Sequence, residues 1–128
     1  MASGTLFLVV GQSGVGKDTL LSGARTILAG SPNFVFARRV ITRPAHAGGE
    51  NHEAITHEEF AQRNANGAFF FSWSAHGLEY GLPVQLADDL AQGRHVVANG
   101  SRDTITALAA CVPRLVIIEV TADPIAVA

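Results

Sequence analysis

The sequence predicts an α/β fold, a parallel sheet covered by helices with a small inserted flap. Three observations carry this. Continuous apolar runs, clearest at Leu6 to Val10 and Leu115 to Val120, read as strands buried on both faces. Stretches of helical pattern stand between such runs, and the alternation is that of a parallel sheet with crossover helices. From Thr42 to Asn51 a polar, glycine-rich stretch breaks the alternation, as a loop on the ligand side does.

Taken in order, Leu6 to Val10 is the first strand and Lys17 to Ala29 the first helix, ended by Gly30 in the C′ role and by Pro32. Phe34 to Ile41 reads as one strand. Thr56 with Glu59 forms a capping box that starts a short helix ending near Asn66-Gly67. The aromatic stretch Phe69 to Ser74 is a strand, and Ala75 to Gly81 a turn with two glycines. Pro83 opens another helix and Gly93 closes it, ahead of a strand from His95 to Ala98. Ser101 caps a helix running to about Ala110, and Pro113 separates it from the strand Leu115 to Thr121. The chain is a single domain, with residues 1–41 and 83–128 as its core and 42–82 as an inserted acceptor-binding region.

Composition narrows the function classes. The 128 residues are long enough for one self-sufficient core, and 48% of them are hydrophobic. A formal charge of −2 provides no basic face for displacing counterions from nucleic acid. The apolar runs fall far below the ~20 residues that span a bilayer, and the N-terminus lacks the regions of a signal peptide. With Cys111 alone no intrachain disulfide forms; it reads as a small packing residue near Pro113. These features predict a cytoplasmic protein with no nucleic-acid or membrane partner.

The most specific segment is Gly11-Gln12-Ser13-Gly14-Val15-Gly16-Lys17-Asp18-Thr19, between the first strand and the first helix. That is the setting of a phosphate-binding P-loop. Its glycines let backbone N–H groups turn inward around phosphate oxygens, the helix presents its positive end, and Lys17 adds a mobile cation. Gly11, Ser13, Gly14, Val15, Gly16, Lys17, Asp18 and Thr19 are therefore the nucleotide-binding residues. The hydroxyl expected directly after the lysine is replaced by Asp18, with Thr19 one place later, so these two are the candidate metal ligands.

Arg38, Arg39 and Arg43 stand at the end of the second strand and the start of the flap, where open α/β sheets bind ligands. Arg43 is assigned to phosphate, which its planar fork suits. For Arg38 and Arg39, which alternation sends to opposite faces, phosphate binding and simple solvation both stand. His52 and His57 are five apart, not the four that a zinc-binding helix needs, so no metal is assigned to them. Asp88 and Asp89 form a solvated helix face. The turn from Ala75 to Gly81 can place His76 and Tyr80 over a substrate as donors, or carry a surface histidine and a stacked tyrosine. Asn99, Ser101 and Arg102 follow a buried strand, where P-loop enzymes often hold magnesium with an aspartate, yet no acid stands at Asn99 or Ser101.

The order of these pieces resembles the guanylate kinase-like P-loop kinases: Thr42-Arg43-Pro44, Gly49-Glu50, Glu58-Glu59-Phe60, Gly67-Ala68-Phe69, His76-Gly77 and Tyr80-Gly81. Four departures share one direction. Phe71 stands at the guanine-reading glutamate, Leu82-Pro83 at a serine or threonine, His46 at a second arginine, and Asn99 and Ser101 at an Asp-x-Asp pair. A phenylalanine cannot pair a purine edge, and a buried unpaired polar group costs about 1–3 kcal/mol. The segments Gly-Lys-Asp-Thr, Val-Ile-Thr-Arg-Pro-Ala, Ser-Ala-His-Gly-Leu-Glu-Tyr-Gly-Leu-Pro and Val-Val-Ala-Asn-Gly-Ser-Arg are similar to the ribose 1,5-bisphosphate phosphokinases. That resemblance implies a bacterial enzyme of phosphonate breakdown that uses ATP and Mg²⁺ to make 5-phosphoribosyl diphosphate. It implies Lys17 and Arg43 as catalytic residues, with Arg43, His76, Tyr80, Asn99, Ser101 and Arg102 holding the phosphorylated sugar.

Kinases of this group usually continue past the last strand into a helix with an arginine-bearing lid, a further strand and a further helix, whereas this sequence stops at Ala128. A shortened kinase, a partner that supplies the remainder and loss of catalysis are the three readings, and the apolar surface left uncovered favours self-association into a homo-oligomer. Two alternative functions stand beside the main one. One is a kinase of another small phosphorylated metabolite or nucleoside monophosphate. The other is a non-catalytic module that binds a phosphorylated or acidic partner in the flap groove.

Overall fold

A computed structural model describes residues 3–11, 16–46 and 52–121. Two four-stranded sheets organise them. The first has the order β2, β7, β1, β8, formed by Phe34–Phe36, His95–Asn99, Leu6–Val10 and Leu115–Glu119, all parallel. Its strands are the continuous apolar runs of the sequence, and Leu6, Leu8, Val10, Val96 and Ala98 are almost fully buried. Leu86 and Leu90 of α3 (Gln85–Ala91) and Leu108 of α4 (Ile105–Ala109) complete that core. Strand β8 pairs with β1 and leaves Val116, Ile117 and Ile118 exposed. Among the described residues no helix is long and apolar enough to cross a membrane.

The second sheet has the order β4, β3, β6, β5, from Glu53–Ala54, Val40–Ile41, Leu78–Pro83 and Phe69–Ala75. Helix α2 (His57–Ala65) packs Phe60 on Phe69, with ring centroids 4.7 Å apart. The Thr56 cap forms as the sequence indicates, its Oγ1 accepting from the Glu59 amide at 3.1 Å, and Gly67 adopts φ 78° at the other end.

Elsewhere the structure differs from the sequence reading. Phe34 to Ile41 is two strands in different sheets: the Ala37 amide still bonds Val97 in the first sheet, while the Arg39 carbonyl already accepts from Glu53 in the second. The run looks unbroken because both halves enter apolar cores. Ala75 to Gly81 is a β-hairpin, not a broad turn; only His76 and Gly77 form it, at φ 53° and 76°, values that suit the tight twist of a two-residue connection. Pro83 closes β6 opposite Phe69, and α3 begins two residues later. Gly30 does not take the left-handed conformation; helix α1 (Lys17–Leu28) ends in a turn closed by the Ser31 amide on the Leu28 carbonyl. Ser101 precedes a 3₁₀ turn (Arg102–Thr104) without a side-chain cap bond, and the Thr104 hydroxyl donates to its carbonyl at 2.7 Å.

Gly4 sits against the backbone carbonyl of Arg94, where a Cβ would overlap the oxygen, whereas Gly23 in α1 faces open space. Gly4→Ala should therefore lower stability by roughly 2 kcal/mol or more. Gly23→Ala should raise it by roughly 0.5–1 kcal/mol by removing a helix-interior glycine. Urea midpoints of the two variants check the pair, and a tolerated Gly4→Ala would refute the packing of this segment.

Candidate phosphate-binding site

The site grows from the C-terminal end of the parallel sheet. Strand β1 ends at Val10, and α1 begins at Lys17 after Gly16, which adopts φ 92° and ψ 16°. No atom lies within 4 Å of a Cβ there, so it is the left-handed backbone that calls for glycine. Lys17 Nζ donates to the Gly11 carbonyl at 3.3 Å, which folds the side chain back toward the end of β1. Ser13, Gly14 and Val15, expected to cradle phosphate, lie outside the described residues, as do Gly49 and Glu50. Asp18 and Thr19 occupy the first turn of α1, both exposed.

Three cations converge near this point. Burial lowers the pKa of the Lys17 ammonium, the charge of Arg39 lowers it further, and Asp18 acts in the opposite sense. Arg39 is pushed down to about 10, first by burial; Tyr80 and Asp18 oppose that shift while Arg43 adds to it. It remains a cation at neutral pH. Only 7% of Arg39 is exposed, and its guanidinium lies 5.0 Å from the Tyr80 ring centroid and 6.0 Å from that of Trp73. Those two rings stack at 5.1 Å and 5°, one from each strand of the hairpin, so a rigid aromatic surface backs the arginine.

The neighbouring strand supplies Asn99, in register with Val9 beside the loop. It is 8% exposed, and among the described residues its Oδ1 has no hydrogen-bond partner. A buried acceptor left bare is costly, so this atom fits a donor brought by a ligand, such as a sugar hydroxyl or a metal-bound water. Among the described residues no three His, Cys, Asp or Glu side chains gather to hold a metal. A divalent cation here would rely on Thr19, Asp18 and the oxygens of a bound polyphosphate, in the manner of Mg²⁺ at nucleotide sites.

The structure thus brings Lys17 and Arg43 into one charged cluster with Arg39 and Tyr80 and sets Asn99 beside the loop. Ser101 is half-buried next to it. His76 is at the exposed tip of the hairpin, and Arg102 forms an ion pair with Glu119 at the end of β8. Arg38 is exposed and donates to the His52 carbonyl at 3.4 Å. Sequence reasoning undervalued Arg39 because it ran one strand through Phe34 to Ile41; the break between the sheets is what buries this side chain. It also weighed His52 only as a metal ligand, although the ring contacts Arg43 through both nitrogens.

No family model matches the chain. It is 50% identical over 122 residues to the ribose 1,5-bisphosphate phosphokinase PhnN of Chromobacterium violaceum, covering 95% of this chain and 65% of that protein. In sequence the chain is thus similar to proteins named ribose 1,5-bisphosphate phosphokinase. The phosphokinase of Agrobacterium fabrum is 46% identical over 119 residues, covering 93% of this chain and 65% of that protein. A bifunctional ribose 1,5-bisphosphokinase-thymidine phosphorylase of Azorhizobium caulinodans is 57% identical over 122 residues, 95% of this chain and 18% of that protein. The chain therefore spans less than two thirds of the length of these relatives. A guanylate kinase from Anaplasma phagocytophilum superposes with a TM-score of 0.71 at 21% identity, covering 92% of this chain and 60% of that one. The chain has the guanylate kinase fold, an α/β architecture with a parallel sheet.

Because Arg39 depresses Lys17, removing its charge should let the Lys17 titration midpoint move up toward the ordinary 10.5. Arg39→Met, followed by carbon NMR at the lysine ε position, checks this. An unmoved midpoint would mean that the two cations do not share one site.

Proposed function

We propose that the protein transfers the γ-phosphoryl group of ATP to the C1 phosphate of ribose 1,5-bisphosphate, yielding ADP and 5-phosphoribosyl diphosphate. The observation that carries this reading is the cluster of Lys17, Arg39 and Arg43 at the sheet's C-terminal end, in a chain homologous to phosphokinases. Two polyanions that must approach each other repel, and buried cations offset that repulsion more strongly than solvent does. An oxygen of the C1 phosphate attacks the γ-phosphorus in line, and the bond to the bridging oxygen of ADP breaks. The attacking oxygen is already ionised, so no general base is required; catalysis is positioning and charge neutralisation.

Within that scheme Gly11 to Lys17 hold the ATP phosphates, and Lys17 follows the transferred group. Arg43 and Arg39 bind acceptor phosphate, with Tyr80 backing Arg39. Asn99 Oδ1 accepts from a ribose hydroxyl or a metal-bound water. Ser101, His76 and Arg102 are the outer acceptor contacts. Mg²⁺, held by Thr19 and Asp18, supplies further neutralisation of phosphate oxygens when bound. The Phe71 ring lies 5.7 Å from Trp73, which presents an apolar edge where a purine acceptor would need polar partners. This favours a sugar phosphate over a nucleoside monophosphate.

Phosphorus NMR of the protein with Mg-ATP and ribose 1,5-bisphosphate, with GMP in parallel, tests the proposal. Diphosphate should form from the ribose substrate alone, and product from GMP alone would refute the choice of acceptor. Lys17→Ala should lower the rate at least a hundredfold with the fold intact, and a loss below threefold would remove the P-loop from the mechanism.

A further inference from the structure

His52 is 2% exposed, in a position where a neutral imidazole must satisfy both nitrogens. Both find the same residue. Nε2 lies 2.9 Å from the Arg43 carbonyl, and Nδ1 lies 3.4 Å from Nη2 of the Arg43 guanidinium. A carbonyl only accepts, so the ring proton resides on Nε2; Nδ1 is then a bare acceptor, matched to a guanidinium that only donates. One ring therefore grips Arg43 at its main chain and at the far end of its side chain. His52 is itself anchored, since its carbonyl accepts from Arg38 and the next amide, of Glu53, bonds the Arg39 carbonyl at 2.9 Å.

We propose that His52 is a positioning residue that holds the Arg43 guanidinium beside Arg39, in the orientation that receives the acceptor's phosphate. The proposal rests on the phosphokinase reading for the identity of the acceptor, but not for the geometry. A merely structural histidine would stabilise the fold without regard to what Arg43 binds. A positioning histidine spends its effect on acceptor binding and loses it when the guanidinium is gone. Imidazole serves here better than an amide because its two nitrogens sit on one rigid ring and select opposite roles.

The test uses His52→Phe, which keeps ring volume and deletes both nitrogens. The KM for ribose 1,5-bisphosphate should rise at least tenfold while the KM for ATP stays within twofold. In an Arg43→Lys background the same change should alter the acceptor KM less than twofold, because no guanidinium remains to be held. Additive losses, or equal losses for both substrates, would overturn the proposal. Nitrogen NMR of the histidine ring in the unliganded wild-type protein provides a readout that needs no turnover and no folded variant. A neutral Nε2–H ring with an accepting Nδ1 is expected, and an Nδ1–H ring would overturn the assignment. Absence of turnover in wild type would count against the phosphokinase reading, and the ring tautomer would still decide the placement of His52.

Discussion

The structure turns on the burial of positive charge at the end of a parallel sheet. Burial is the first cause that lowers the pKa of both Lys17 and Arg39, and a neighbouring cation adds to it in each case, Arg39 acting on Lys17 and Arg43 on Arg39. Like charges gathered in a partly buried place oppose one another's charged forms, and a polyanionic ligand would offset that repulsion. The surrounding architecture makes sense as what holds these groups in place against their repulsion. The Gly11 carbonyl accepts from Lys17, two stacked rings back Arg39, and a buried imidazole grips Arg43.

Two sheets are needed because the cations come from two directions. Lys17 arrives from the end of β1, in the parallel sheet, while Arg43 follows β3, in the mixed sheet. Arg39 lies where the chain leaves one for the other, its neighbour Ala37 still hydrogen-bonded to β7 and its own carbonyl already engaged by Glu53. The segment from Ala37 to Arg39 thus carries the chain from the parallel sheet to the mixed one. Short strands suffice for it, since β3 and β4 have only two residues each, and the β5–β6 hairpin supplies the rigidity they lack.

Legibility followed the range of the forces involved. The Thr56 cap and the parallel sheet were readable because each depends on residues close in sequence or on continuous apolar runs. The hairpin of residues 69–83 was half readable: the aromatic strand showed, but the turn was drawn too broadly because Ala75 to Gly81 holds two glycines, Gly77 in the turn and Gly81 inside β6. Arg39, His52 and Trp73 were not readable as a group. Their meeting depends on β3 pairing with both β4 and β6, a register that no local pattern encodes. The burial of Asn99 shows the same thing from the other side, since its residue type was noticed while its burial could come only from packing.

The aromatic wall bears on what kind of anion the cluster accepts. Arg39 lies over Tyr80 with its guanidinium carbon 5.0 Å from the ring centroid, and a guanidinium is a permanently charged fork of donors that suits phosphate oxygens. Phe71, Trp73 and Tyr80 of the same hairpin stand with successive ring centroids 5.7 Å and 5.1 Å apart, so hydrogen-bonding edges of a base laid against these rings would go unmatched. A ligand rich in charge and poor in heterocyclic donors meets no such penalty. On the proposed function, selectivity would come less from reading a particular group than from an apolar wall that disfavours whatever needs one to be read.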